Sequence, residues 1–294
     1  MIHKQTMLRV MLLTLLVSTQ ALAEKLPVWE IQGTSNRVLL MGSIHFLRPA
    51  DYPLPAGMDE AYELADGLYM EIDMDSIDPV ASQGVLISMG TGGGSLRENL
   101  SPEAYAEADR RATGLGLPLM SFEQFEPWFA ALTITQLRMM QLGFDPEKGV
   151  ESYFRDKARS DGKVIYGLES LEEQLSFMDG LDADTQEEFL LQSLDDAAEL
   201  EQQVDLIVTA WRTGDGAALE ELMLEDLEAA PELADALLVQ RNRNWLRPIK
   251  QLMNDEDNWL VIVGAMHLVG PESVVVMLED QGVEISQLSS ADLR

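Results

Sequence analysis

Two segments at opposite ends of the chain share one pattern, an apolar run followed by Gly-x-x-His. The first apolar run, residues 38–41, leads to His45, and the second, residues 260–263, leads to His267. A buried parallel strand delivers the residues that follow it to the carboxyl edge of its sheet, where α/β proteins place their sites. We therefore expect the two runs to be neighbouring strands that bring both imidazoles together at that edge.

Strand-like and helical patterns alternate at both ends of the chain, and helices dominate the middle. The predicted strands span residues 27–32, 36–41, 67–73, 163–168, 259–263 and 283–288. The predicted helices span residues 56–65, 126–142, 150–160, 182–235 and 271–281, with one more beginning at Ser101. This alternation predicts an α/β fold, a central sheet flanked by helices. We expect one domain over residues 24–294, in which residues 182–250 form a long acidic helical insertion.

The N-terminus has the pattern of an export signal over residues 1–23. Lys4 and Arg9 give a positive start, residues 10–17 an apolar stretch, and residues 21–23 a small-x-small cleavage site. The apolar stretch is shorter than the roughly 20 residues that span a bilayer. We therefore expect a periplasmic or secreted bacterial protein with no stable membrane insertion after cleavage.

Composition excludes several classes of function. The chain has 51 acidic and 20 basic residues and a formal net charge of -31, which argues against nucleic-acid binding because phosphate recognition needs clustered bases. It has no cysteine, which excludes disulfides, thiolate ligands and a cysteine nucleophile. No Gly-x-Ser-x-Gly elbow or His-Glu-x-x-His helix occurs, and nothing near Ser43 supports a serine hydrolase.

Carboxylates near the two histidines offer a third ligand for a metal ion. Imidazole suits zinc, manganese, iron or cobalt, but two nitrogens alone make an incomplete site. In the predicted strand over residues 67–73, alternation places Glu71 and Asp73 on one face, and Asp75 follows on the same side. Such a face either lies in water at an edge strand or meets a cation, and with the histidines present we favour Glu71 as ligand or acid/base group.

A second group of acids follows the predicted strand over residues 163–168. Glu169 lies at the carboxyl end of that strand, whereas Ser170 and Glu173 fit a helix-capping box. Glu169 could bind metal, act as general base or position a histidine. Arg241 belongs to the compact basic group of the C-terminal half, and it could pair with helix acids, hold a substrate carbonyl or stabilise an oxyanion.

These motifs, in this order, resemble those of the TraB/GumN family, whose relatives include the animal TIKI proteins that clip an extracellular signalling protein. The resemblance depends on the two Gly-x-x-His segments at 42–45 and 264–267, the acidic strand at 69–73, and the central motifs at 167–169 and 173–174. It also includes the Arg-Asn pair at 241–242, the Pro-Trp pair at 127–128 and the Gly-Val pair at 149–150. Glu151 departs from the pattern, because an Asp is expected there, and we assign it no role.

The resemblance implies a fold like that of the erythromycin-esterase and haem-binding ChaN-like proteins, and a metal-dependent, peptidase-like hydrolase. We expect His45, Glu71 and His267 to hold a divalent ion, manganese, cobalt or zinc, that activates water to attack a peptide carbonyl. Glu169 would be the fourth ligand or general base, and Arg241 would assist the oxyanion or the substrate. The expected partner is a peptide or protein substrate.

Two other functions remain open on the sequence alone. The same histidine-lined cleft could belong to a non-catalytic periplasmic protein that binds haem, metal or peptide, since two histidines can ligate haem iron axially. The acidic region over residues 182–235 could instead be an interaction module, although a solvated helical face is the simpler interpretation. The sequence leaves the metal, the substrate and the oligomeric state open.

Overall fold

A six-stranded mixed sheet forms the centre of the molecule in the computed structural model, which describes residues 25–33, 35–229 and 231–293. The strands are β1 Lys25–Gln32, β2 Arg37–Ser43, β3 Gly67–Met70, β4 Val164–Gly167, β5 Trp259–Gly264 and β6 Ile285–Ser289. Their order across the sheet is β4-β3-β5-β2-β1-β6. The predicted signal peptide, residues 1–23, lies outside the described residues.

Twelve α-helices connect these strands in the described part of the chain. They are α1 Ala56–Glu63, α2 Pro79–Gly90, α3 Leu96–Asn99, α4 Pro102–Gly114, α5 Pro127–Gln141, α6 Val150–Asp161, α7 Leu171–Asp179, α8 Ala183–Arg212, α9 Gly216–Ala229, α10 Pro231–Ala234, α11 Gln240–Leu252 and α12 Val274–Glu279. None of the described helices is long and apolar enough to cross a membrane.

The two strands that precede the histidines are direct neighbours, as predicted. β2 and β5 pair in parallel, with Val38 opposite Trp259 and Ser43 opposite Gly264. β3 pairs in parallel with β5 and with β4, while β1 runs antiparallel to β2 and β6. The four parallel strands therefore end at one edge of the sheet, and the segments that follow them meet there.

Both faces of the sheet are covered by helices, because alternate residues of each strand point to opposite sides. Leu39 and Leu260 belong to one core, shared with residues of α1, α6 and α8. Leu40 and Val261 belong to the other, shared with Trp245 of α11 and with α12. The predicted α/β class, a central sheet flanked by helices, is confirmed.

The prediction of three carboxylates on one strand face is wrong, because β3 ends at Met70. Glu71 turns into the protein and is 7% exposed. Asp73 instead accepts hydrogen bonds from the N–H groups of Asp75 and Ser76, an Asx-type turn that ends extended structure. Asp75 pairs with Arg159 at 2.6 Å.

The acidic region is helical, as predicted, and one face of it is part of the core. α8 buries a stripe of residues at helical spacing against the rest of the domain, Leu190, Leu194, Ala197, Val204, Val208 and Trp211. Trp211 is fully buried, and its Nε1 donates a 2.7 Å hydrogen bond to the carbonyl oxygen of Gly42. This helix therefore supports the end of β2, three residues before His45.

Replacing Trp211 by Phe should cost more stability than the same change at Trp128. Both indoles are fully buried, but Nε1 of Trp128 has no hydrogen-bond partner among the described residues. Trp211→Phe loses a buried hydrogen bond as well as ring volume, so its free energy of unfolding should fall by about 1 kcal/mol more. Urea denaturation of the two variants checks this, and equal losses would contradict the contribution of the hydrogen bond.

Candidate active site

All five side chains predicted to act in the site lie at the carboxyl edge of the sheet. His45 follows β2, Glu71 follows β3, Glu169 follows β4, and His267 lies in a short 3₁₀ turn, Ala265–Leu268, after β5. Arg241 reaches the same edge from the first turn of α11.

A buried guanidinium joins two of the predicted carboxylates. Arg241 donates to Oε2 of Glu71 at 2.5 Å, and its Nε and one terminal nitrogen donate to Oε1 of Glu169 at 2.9 and 2.7 Å. Its other terminal nitrogen donates to the carbonyl oxygen of Leu237 at 3.0 Å. Gln174 donates to both carboxylates, at 3.0 and 2.9 Å. Arg241 thus pairs with the acids that follow β3 and β4 rather than with helix acids.

His267 is buried and held in one tautomer. Its Nδ1 lies 2.6 Å from Oδ1 of Asn242, whose amide nitrogen donates to the carbonyl oxygen of Glu272, so the ring proton is on Nδ1. Nε2 is 3.8 Å from Oε1 of Glu71 and 3.3 Å from a terminal nitrogen of Arg241. Burial lowers the pKa of His267 to about 3, so the ring is neutral with its lone pair on Nε2.

His45 is more exposed and is held by Glu151, the residue to which the sequence assigned no role. Nδ1 of His45 lies 2.8 Å from Oε1 of Glu151, and the Ser43 hydroxyl donates to the same oxygen. Glu151 lies in the first turn of α6, which is tied to the histidine segment by the Val150 N–H and the Ile44 carbonyl oxygen at 3.0 Å. The charge of Glu151 raises the pKa of His45 to about 9.

Gly264 is the point on which the two histidines and Glu71 converge. Its N–H donates to Oε1 of Glu71 at 2.8 Å. A Cβ atom at this position would lie 3.3 Å from that oxygen, 3.5 Å from Cδ2 of His267 and 3.6 Å from Nε2 of His45. A side chain at residue 264 would therefore crowd the space that all three groups face.

The pKa values of the two buried carboxylates are shifted in opposite directions. Burial opposes the charge of Glu71, but the neighbouring imidazoles, Arg241 and the Gly264 N–H together lower its pKa to about 2. Burial raises the pKa of Glu169 above its usual value despite the hydrogen bonds from Arg241 and Gln174. Glu71 is thus the permanently charged carboxylate between the two histidines.

The side chains at this edge include groups that could act as ligands for a divalent ion. Metal-ligating histidines characteristically donate the second ring N–H to an oxygen, and both histidines here have an oxygen at Nδ1. Oε2 of Glu151 is buried with no hydrogen-bond partner among the described residues, next to His45. In the described part of the chain, however, no group of three His, Asp or Glu side chains is already arranged around one metal position.

A cleft of about 190 Å³ opens beside these groups. It is lined by residues from β3, β4, α6, α7 and the segments after β2 and β3, including His45, Glu71, Glu151, Ile165 and Gln174. Glu169, Arg241 and His267 do not line it. The cleft therefore gives access to His45 and Glu71, while the other three predicted residues lie behind them.

Sequence reasoning gave no positioning role to four residues that hold the predicted ones in place: Glu151, Gln174, Asn242 and Trp245. Trp245 donates to Oε2 of Glu169 at 3.1 Å, and its ring lies 4.4 Å from that of His267. Trp245 lies four positions after Arg241 on α11, so helical spacing from the arginine was a signal that could have found it, whereas Asn242, one position after Arg241, does not share that spacing.

The fold and the site define a mixed α/β protein whose adjacent parallel strands bring two histidines and a buried carboxylate to one sheet edge. The chain belongs to the TraB/PrgY/gumN family, whose model matches residues 27–287. The predicted TraB/GumN resemblance is thereby confirmed.

Curated relatives match most of the chain. The uncharacterized protein YbaP of Escherichia coli (strain K12) is 26% identical over 267 residues, 86% of this chain and 92% of its own length. YbaP of Shigella flexneri is 25% identical over 81% of this chain and 86% of its own. An uncharacterized protein of Treponema pallidum (strain Nichols) is 22% identical over 84% and 78%. No solved structure matches significantly.

Replacing Glu151 by Gln should lower the pKa of His45 from about 9 to near its ordinary value of 6.5, because the main cause of the shift is the Glu151 charge. Glu147→Gln is the matched control, since that side chain is 74% exposed and pairs with Arg155. NMR titration of the imidazoles in chelator-treated protein checks this. A His45 pKa that stays the same in Glu151→Gln would contradict the assignment.

Proposed function

We propose that this protein is an exported, divalent-metal-dependent hydrolase of peptidase type, with a fold like that of the erythromycin-esterase and ChaN-like proteins. One observation carries the proposal. Both histidines have Nδ1 held by an oxygen, at 2.8 Å from Glu151 and 2.6 Å from Asn242, and both rings border the space in front of Oε1 of Glu71. This is the arrangement that prepares imidazoles as ligands.

His45, Glu71 and His267 would hold the ion in this proposal. Two imidazole nitrogens and a carboxylate oxygen suit manganese, cobalt or zinc, and the unpartnered buried oxygen of Glu151 supports a cation nearby. A bound divalent ion supplies Lewis-acid chemistry, which polarises a carbonyl group and makes water more acidic.

The protein itself fixes the protonation states that two of the three proposed ligands, His267 and Glu71, need. Asn242 accepts from Nδ1 of His267, so that Nε2 keeps its lone pair. Glu71 is ionised, because the positive charges and the Gly264 N–H around it outweigh its burial. Neither group has to gain or lose a proton before it can act as a ligand.

Glu169 and Arg241 are positioning residues in this geometry. Oε1 of Glu169 accepts from Arg241 and Gln174, and Oε2 accepts from Trp245. The nitrogens of Arg241 are engaged by Glu71, Glu169, Leu237 and His267. If Glu169 acted as a general base, or Arg241 as an oxyanion donor, that side chain would have to leave its present hydrogen-bond partners. Holding Glu71 in place requires no such rearrangement.

The cleft favours a peptide group over a haem as the bound partner. Its volume of about 190 Å³ is below the roughly 300–1,000 Å³ of pockets for drug-sized ligands, and a haem is larger still. A peptide carbonyl entering between His45 and Gln174 would lie in front of Glu71. The non-catalytic alternative is a binder of haem, metal or peptide in the same cleft, and the small cleft volume favours metal or a short peptide.

Metal analysis tests the proposal. Protein stripped with chelator and reloaded separately with Mn²⁺, Co²⁺ and Zn²⁺ should bind one ion and cleave peptides of a mixed library. His45→Ala/His267→Ala should lose both properties. Glu151→Gln should weaken metal binding by about 10- to 100-fold, the usual effect of removing a group that orients a ligand. Bound metal is measured by mass spectrometry, and cleavage by the masses of the products.

Asp73→Asn is the matched control. It also removes one negative charge, at a position two residues from Glu71, but the Asp73 side chain closes a turn by accepting a hydrogen bond from the Asp75 N–H. It should bind metal as the wild type does. Unchanged metal stoichiometry in the double histidine variant, with cleavage that resists chelation, would overturn the proposal. Histidine-dependent metal binding without any cleavage would favour the non-catalytic binder.

A further inference from the structure

β4 forms one edge of the sheet, directly beside the strand that leads to Glu71. It pairs only with β3 among the described residues, and no described strand lies along its outer side. An open strand edge presents unpaired N–H and C=O groups, a ready template for another extended segment.

The register identifies which main-chain groups point outwards. Met70 lies opposite Gly167, and the N–H of Leu168 donates to the carbonyl oxygen of Met70 at 2.8 Å. In a parallel pair alternate residues bond to the neighbouring strand, so the N–H and C=O groups of Ile165 and Gly167 point away from β3. No described residue hydrogen-bonds to these groups.

The side chains at this edge are apolar and partly open to solvent. Val164 is 49% exposed and Tyr166 is 47% exposed. The Tyr166 ring contacts Tyr69 and Trp259 in tilted geometry, with ring centroids 5.2 and 5.9 Å apart. Natural edge strands are usually protected by charge, proline, short length or a covering element. β4 is short, with four residues, but it offers exposed aromatic and β-branched side chains to a partner.

The open edge is continuous with the cleft of the site. Ile165, whose main chain points outwards, also lines the cleft with His45 and Glu71. A segment paired with β4 would pass the C-terminal end of that strand. This end lies at the carboxyl edge of the sheet, where Gln174 and Glu71 also lie. The edge and the cleft therefore form one path across the surface.

We propose that β4 binds an extended segment of the substrate by strand addition and so anchors a peptide whose next residues enter the cleft. This inference rests on the proposed peptidase-like function. Main-chain hydrogen bonds to Ile165 and Gly167 supply affinity with little sequence preference. The occupant is a peptide rather than a second copy of this chain, because two chains of formal net charge -31 repel each other at strand spacing.

Geometry sets the length of peptide that benefits. A strand added to β4 lies three strand spacings, about 14 Å, from β5 and the Gly264 region. About four extended residues cover that distance, and about four more pair with β4. Substrates of about eight residues or longer should therefore use the edge, and markedly shorter ones should not.

Ile165→Pro compared with Ile165→Ala isolates the main-chain contact. Both lose the same side chain, but only proline removes the outward N–H, and proline is tolerated at such an edge position. With a randomised dodecapeptide library lacking Asp and Glu, KM should be about 2- to 10-fold higher for the proline variant than for the alanine variant, which is the contribution of one hydrogen bond, and kcat should be the same in the two variants. With tetrapeptides the two variants should be equal. Equal KM values for the dodecapeptides would overturn the proposal.

Amide hydrogen exchange in the wild-type protein decides the matter if the proline variant does not fold. In chelator-treated protein, saturating dodecapeptide library should slow exchange at Ile165 and Gly167, and unchanged exchange there would overturn strand addition even if metal-dependent cleavage is found. Protection without any cleavage by metal-loaded protein would support strand addition and refute the hydrolase. A wild-type dimer that the proline variant disrupts in sedimentation would show that the edge pairs two copies, which also overturns the proposal.

Discussion

The ion pair between Arg241 and Glu71 is the interaction on which the site depends. Both side chains are less than a tenth exposed, and a buried charge is stable only if it is paired and hydrogen-bonded. Glu71 therefore needs Arg241 on one oxygen and the Gly264 N–H on the other. These two contacts fix the end of β3 against α11 and β5 at once, and they place a charged oxygen between the histidines.

The charge of the site is not balanced by this pair alone. Glu169 and Glu151 add two further carboxylates, and Arg241 is the permanent cation that contacts this group. A proton on His45 compensates part of the excess, which is why the pKa of His45 is raised. A divalent ion would compensate the excess negative charge with two positive charges. The negative charge that keeps His45 protonated would therefore also attract a metal ion.

Much of this arrangement could be predicted from local pattern, and the rest could not. The adjacency of β2 and β5 followed from two apolar runs ending in the same Gly-x-x-His, because buried parallel strands expose their ends at one edge. Glu71 reaches the sheet edge, but not because it lies on a strand face, since the strand ends before it and a turn removes Asp73 and Asp75. Partners on helices, Glu151 and Asn242, depend on how α6 and α11 dock, which no spacing within their own segments reveals.

The two histidines differ in solvent exposure, and this difference defines the side from which a ligand can enter the site. His267 is 3% exposed, neutral and fixed between Asn242, Trp245 and Arg241. The His45 side chain is 57% exposed and borders the cleft. A ligand must therefore approach from the side of His45, over β3 and β4, while α11 closes the opposite side. The open edge of the sheet lies on that same approach, so the proposed peptide would pass the outward main-chain groups of β4 before it reached Glu71.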